Sequence, residues 1–187
     1  MKEVASELET IVTTFAKRIA ELSEAELSAK PVPTKWSKKE VLGHLSDSAE
    51  NNLRRFICGQ YESQPPKIRY DQNFWVSAND YKNAPTTNVI DHWKLINLKI
   101  CRVLTTIPSE NYSKNCDTGS DAPNLLSIEW LAVDYVKHLK HHLNQIIPGS
   151  FNIVYPLPNP PTCQLNKYMN GLKRSKIQKS RFYLWWI

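Results

Sequence analysis

Apolar residues recur at three- and four-residue intervals in four separate stretches of the chain, and residues that start or stop helices bound each stretch. The first, from about Glu3 to Ser28, aligns Val4, Leu8, Ile11, Val12, Phe15, Ile19 and Leu22 on one face. That spacing predicts one long amphipathic helix, stopped by Pro31 and Pro33. Ser37 with Glu40 three residues on predicts a capping box, opening a second helix that runs to about Cys58 with Val41, Leu45, Leu53 and Phe56 on one side. A third runs from about Asn88 to Ile107, with Thr86 and Thr87 as predicted caps, Ile90, Trp93, Leu95, Ile96, Ile100, Val103 and Leu104 as its buried set, and Pro108 as its stop. Ser127 caps the fourth, which reaches Ile147 before Pro148 and Gly149 end it.

Four helices without convincing strand pairs predict an all-α fold, a four-helix bundle over residues 1–149. The connection between the second and third helices, about 30 residues long, exceeds what an antiparallel helical hairpin requires. It holds Pro65, Pro66 and an aromatic group of Tyr70, Phe74, Trp75 and Tyr81, and long loops of this kind often carry function. From residue 150 the pattern changes to a Pro-rich run and then a basic, aromatic-ended one, so residues 150–187 are set apart as a C-terminal extension. Three readings of it follow in order: a surface-packed or frayed extension, a stretch foreign to the fold, or a peripheral anchor on an anionic surface.

Composition narrows the function. The 187 residues, 41% hydrophobic and 22% charged, suffice for one core and exclude disordered and collagen-like classes. The net charge of +6 comes from the extension: residues 151–187 contain Lys167, Lys173, Arg174, Lys176, Lys179 and Arg181 and no acid, which leaves 18 basic and 18 acidic residues before them. A formally neutral bundle gives no electrostatic reason to expect nucleic acid on residues 1–149. No apolar run approaches the roughly 20 residues of a membrane span and no secretory pattern opens the chain, so a cytoplasmic protein without a transmembrane segment is expected. Cys58, Cys101, Cys116 and Cys163 lie far apart, without a CxxC pair, and read as reduced structural thiols.

Chemistry enters with the histidines. At about 100° per residue, His138 and His142 fall on one flank of the apolar face of the fourth helix, one turn apart, while His141 points toward water. On the second helix His44 occupies a similar flank beside Ser48 and Asn51. Counting rise from each helix end sets all three imidazoles at one level if the two helices run antiparallel. Two histidines at i and i+4 plus a third from a neighbouring helix supply three nitrogen ligands and leave a coordination position open, the arrangement of a catalytic metal site. Asp134 and Gln145, on the same side of the fourth helix, are candidates to orient the imidazoles. Asp47, Asn51, Tyr70 and Trp75 are candidates to line a pocket; Trp36 and Phe74 could join them, but core or loop packing is the better reading for these two. Spacing leaves the alternative open, because HxxxH is common and histidines beside an apolar stripe also occur as satisfied core residues.

KWSKKEVLGHLSD around His44, YDQNFWVSANDY in the connection and EWLAVDYVKHLKHHLNQI around His138 and His142 together resemble the DinB-like superfamily, near its YfiT branch, over roughly residues 5–147. The resemblance implies a four-helix bundle with a long middle connection, and a divalent metal, nickel or zinc, held by His44, His138 and His142. It also implies a metal-dependent hydrolase, or a transferase that uses a low-molecular-weight thiol such as bacillithiol as cosubstrate, acting on a small molecule, in a protein that often forms a homodimer. A non-catalytic metal- or ligand-binding stress-response module is the alternative from another class.

Overall fold

The structure, a computed structural model, describes residues 1–156. The readings of the extension from residue 157 onward, Cys163 included, lie outside the described residues.

Helix α1 (Lys2–Ala20) ends earlier than its apolar stripe suggests, and α2 (Glu24–Ser28) follows as a separate turn. The cause is a capping box that the stripe conceals. Ser23 Oγ accepts from the Glu26 amide at 3.2 Å, and Glu26 Oε2 accepts from the Ser23 amide at 2.9 Å. Leu22 and Leu27 continue the period across the break, so periodicity reads one helix where there are two. Helix α3 (Lys38–Tyr61) starts at the predicted box, with the Ser37 amide donating to Glu40 Oε2 at 2.7 Å. The long connection contains α4 (Gln72–Ala78), capped by Asp71 Oδ1 accepting from the Phe74 amide. Helix α5 (Thr86–Thr106) follows Pro85; Thr86 lies inside it and donates to Glu24 rather than capping its start.

Two strands, β1 (Asn115–Asp117) and β2 (Leu125–Ser127), pair antiparallel with Cys116 opposite Leu126. Three residues each is too short for alternation to be visible in the sequence, which is why no pair was expected. Helix α6 (Ile128–Ile146) leaves β2 directly, with Ser127 Oγ accepting from the Trp130 amide.

Helices α1, α5, α3 and α6 pack in that order around one core and close it through contacts between α6 and α1, giving the expected four-helix bundle. Leu8, Ile19, Leu42, Leu45, Phe56, Trp93, Ile100, Leu104, Ile128 and Leu139 are fully buried. Each such side chain contributes roughly 1.5–3 kcal/mol through removal from water. Helices α3 and α6 run antiparallel: His44 faces His142, Ser48 faces His138, and near the other end Gly59 lies against Ile128. Along α3 the buried set is unusual, for Ser46, Asp47, Ser48, Asn51 and Asn52 are all buried. Burying so many polar groups is unfavourable unless each finds a partner, and the partner of Ser48, His138, belongs to the site.

After α6 the chain reverses at Gly149, whose φ of +73° is the left-handed conformation that favours glycine. Phe151 stacks on Phe15 with ring centroids 5.1 Å apart, so residues 150–156, set apart by composition, pack on the bundle.

Candidate metal centre

His44 projects from the first half of α3, His138 and His142 from successive turns of α6, and the structure brings the three rings together. Centroids lie 4.8 Å apart for His44 and His142, 5.3 Å for His44 and His138, and 4.5 Å for His138 and His142. One nitrogen from each ring falls within 4.8 Å of the other two. The Nε2 atoms of His44 and His138 are 3.3 Å apart. Two nitrogens bound at 2.0–2.1 Å to one tetrahedral ion stand about 3.3 Å apart, so this separation suits two ligands of one ion.

Hydrogen bonding orients the rings. Gln145 Oε1 lies 2.9 Å from His142 Nδ1, so Nδ1–H donates to it and the lone pair resides on Nε2. That Nε2 is buried and has no hydrogen-bond partner. A buried acceptor left unmatched beside two other imidazoles fits a divalent cation, which would satisfy it. Ser48 Oγ lies 3.5 Å from His138 Nδ1 and itself meets the Asn52 amide at 3.4 Å. His44 is held between Trp36, 5.0 Å from it by centroids, and Tyr70 at 6.5 Å; Trp75 backs Tyr70 at 5.5 Å.

Burial makes the imidazoles weak bases. Desolvation pushes His44 down to about 3, with His142 nearby adding to the effect. It likewise pushes His142 down to about 4 against the opposing hydrogen bond from Gln145, and it takes His138 well below the ordinary value of 6.5. All three are neutral at pH 7, the state in which an imidazole ligates a metal without first losing a proton.

The other sequence candidates divide. Gln145, Tyr70 and Trp75 lie at the cluster as just described. Asp134 is half-buried under the influence of Arg55 and Lys137, and the described partner of His138 Nδ1 is Ser48, not this carboxylate. Asp47 turns away: its Oδ1 accepts from Tyr81 Oη at 2.6 Å and Asn79 Nδ2 at 2.9 Å, tying α3 to the chain after α4. Asn51 donates its side-chain amide to the Asp47 carbonyl one turn back at 2.9 Å. Phe74 is 70% exposed and packs in neither core nor site. His141 is half-buried rather than directed at water, 5.0 Å from His142 and 5.4 Å from Tyr155, with the Gln145 amide nitrogen 3.4 Å from its Nε2. Tyr155, 5.7 Å from His138, is the residue the sequence reading missed, because no period links it to the helices.

Cys101 and Cys116 are buried free thiols pushed up to about 12 and about 11 by desolvation, and so are unreactive. No helix among the described residues is long and apolar enough to cross a membrane.

Comparison with known proteins gives concordant results. A family model described as the DinB superfamily matches residues 7–146. YfiT of Bacillus subtilis (strain 168), provisionally named a metal-dependent hydrolase, is 22% identical over 139 residues, which span 74% of this chain and 78% of that protein. A protein of Oceanobacillus iheyensis with a name of the same kind is 26% identical over 149 residues, 78% of this chain and 83% of its own. Among solved structures, Bacillus subtilis YfiT, described as a four-helix bundle of unusual topology, matches with a TM-score of 0.70 at 22% identity, covering 77% of this chain and 82% of that one.

Proposed function

The chain belongs to the DinB superfamily, and from that premise we propose that it is a metal-dependent enzyme in which His44, His138 and His142 hold one divalent cation, zinc or nickel, next to a pocket for a small, partly apolar molecule. The observation that carries this reading is the convergence of three neutral imidazoles, one of them presenting a buried and unpartnered Nε2. Three imidazoles suit zinc and nickel as ligands. A divalent ion bound there supplies Lewis acidity, which brings the ionisation of water or a thiol toward neutral pH.

The protein's own groups do the rest. Gln145 fixes the tautomer of His142, and Ser48 meets the outer nitrogen of His138. Trp36 and Tyr70 shield His44 from water, which strengthens every electrostatic interaction within the site. Asp134, one turn before His138, has its carboxyl pushed up to about 6 by burial, with the charges of Arg55 and Lys137 opposing.

Hydrolysis is the reaction that the relatives' names support. Transfer of a low-molecular-weight thiol to an electrophile is the second reading. A thiol held as its thiolate attacks an electrophile without a separate general base. The two separate in one assay, with zinc-loaded protein mixed with an activated ester or with a chlorinated aromatic electrophile, each with and without thiol. Ester cleavage without thiol supports the hydrolase, and conjugation that needs thiol supports the transferase. Neither activity above that of His142→Ala with any substrate tried would leave only a binding protein.

A further inference from the structure

We propose that Tyr155 is a specificity-determining wall of the three-histidine site, delivered to it by a strap of chain fastened at Phe151. The proposal rests on the reading of that cluster as the reaction site. The strap begins where Gly149 reverses the chain at the end of α6, and Ser150 Oγ donates to the Ile147 carbonyl at 2.7 Å. Two residues further on the fastening is twofold. Asn144 holds the backbone of Phe151 on both sides, its Nδ2 donating to the Phe151 carbonyl at 2.9 Å and its Oδ1 accepting from the Phe151 amide at 2.9 Å. The Phe151 ring stacks on Phe15 of α1 and receives the Lys140 ammonium 5.7 Å from its centroid.

Four residues of chain then run back along α6. Asn144 stands six residues past His138, about 9 Å along the helix axis, a distance that four extended residues cover with ease. The strap thereby sets the Tyr155 ring 5.7 Å from His138 and 5.4 Å from His141, inclined at 60° and 34°. Trp36 and Tyr70 flank His44 on the α3 side of the cluster, so Tyr155 supplies an aromatic face on the α6 side. A ligand that reaches the three nitrogens must fit between these faces. The walls favour small molecules and disfavour any that carry a bulky substituent, a phenyl ring included, beside the group that reaches the nitrogens.

The test uses the full chain with Tyr155→Ala, Tyr155→Phe and Phe151→Ala. In metal-free protein, carbethoxylation of each histidine is followed by mass spectrometry, with exposed His92 as internal reference. Tyr155→Ala and Phe151→Ala are expected to raise the rate at His138 several-fold while His92 is unchanged, and Tyr155→Phe to keep the wild-type rate. In zinc-loaded protein, the ratio of affinities for 4-phenylimidazole and imidazole is expected to rise about tenfold in Tyr155→Ala. Wild-type rates at His138 in Tyr155→Ala, or an unchanged affinity ratio, would overturn the proposal. Failure of every form to take up zinc would defeat the metal reading instead, while carbethoxylation still decides whether the strap covers His138. Phe151→Ala is the form most exposed to unfolding, and Tyr155→Ala removes the wall without touching the fastening.

Discussion

Gln145 controls His142 through one hydrogen bond, the 2.9 Å contact at Nδ1 that commits the lone pair to Nε2. Gln145→Leu removes that acceptor and should weaken metal affinity about 10- to 100-fold, measured by competition with a chromophoric chelator, while helical circular dichroism is retained. Asp47 makes a different prediction. Its carboxyl is pushed up from 3.8 to about 6, by burial first, with Glu50 adding to the effect and the hydrogen bonds from Tyr81 and Asn79 and the charge of His92 opposing it. The folded state therefore binds the proton more tightly than the unfolded one. The stabilisation is complete below about pH 3.8 and is lost as pH rises to about 6. The buried histidines of the metal-free protein act in the opposite sense, losing stability as pH falls below 6.5. The difference in melting temperature between the wild type and Asp47→Asn isolates the carboxylate; it should shift toward Asp47→Asn from pH 4 to pH 6 and stay level above. A difference flat across that range would show that Asp47 titrates normally.

Helix starts were legible wherever a side chain closes on a backbone amide. Ser37 and Ser127 announce α3 and α6, and Ser37→Ala should cost about 1 kcal/mol in denaturant unfolding. The box at Ser23 has the same chemistry as that at Ser37, but an uninterrupted apolar stripe masks it. Thr86 has the composition of a cap, yet its hydroxyl goes to Glu24 on a neighbouring element, a tertiary partner that no local pattern encodes. Gly43 illustrates another hidden constraint. A Cβ there would stand 2.1 Å from the Tyr81 ring, so the glycine lets the chain after α4 press against α3 beside the Tyr81–Asp47 hydrogen bond. Gly43→Ala is expected to destabilise by about 1–3 kcal/mol, read from the denaturant midpoint, and to raise hydrogen exchange in residues 71–84. Wild-type exchange there would mean that the contact does not hold the connection down.

At the scale of the whole molecule, the histidine trio could be read in advance because helices are periodic. Angle and rise place residues on a helix before any packing is known, so His44, His138 and His142 could be set at one level. Tyr155 and the new partners of His141 depend on a chain reversal at Gly149 and a clamp at Asn144, which belong to no period. Asp47 and Asn51 lay on the His44 side of α3 by angle, and their true partners were decided by the connection folded over that helix. The bundle thus supplies two rods at fixed spacing, and the loops decide what surrounds the histidines. The central claim is that the three imidazoles hold a single cation. Elemental analysis of protein purified from zinc- and nickel-supplemented medium tests it most directly, on the wild type and on His44→Ala, His138→Ala and His142→Ala. The account predicts about one divalent ion per chain in the wild type and loss of that ion in each folded variant; a full equivalent retained in all three would contradict it.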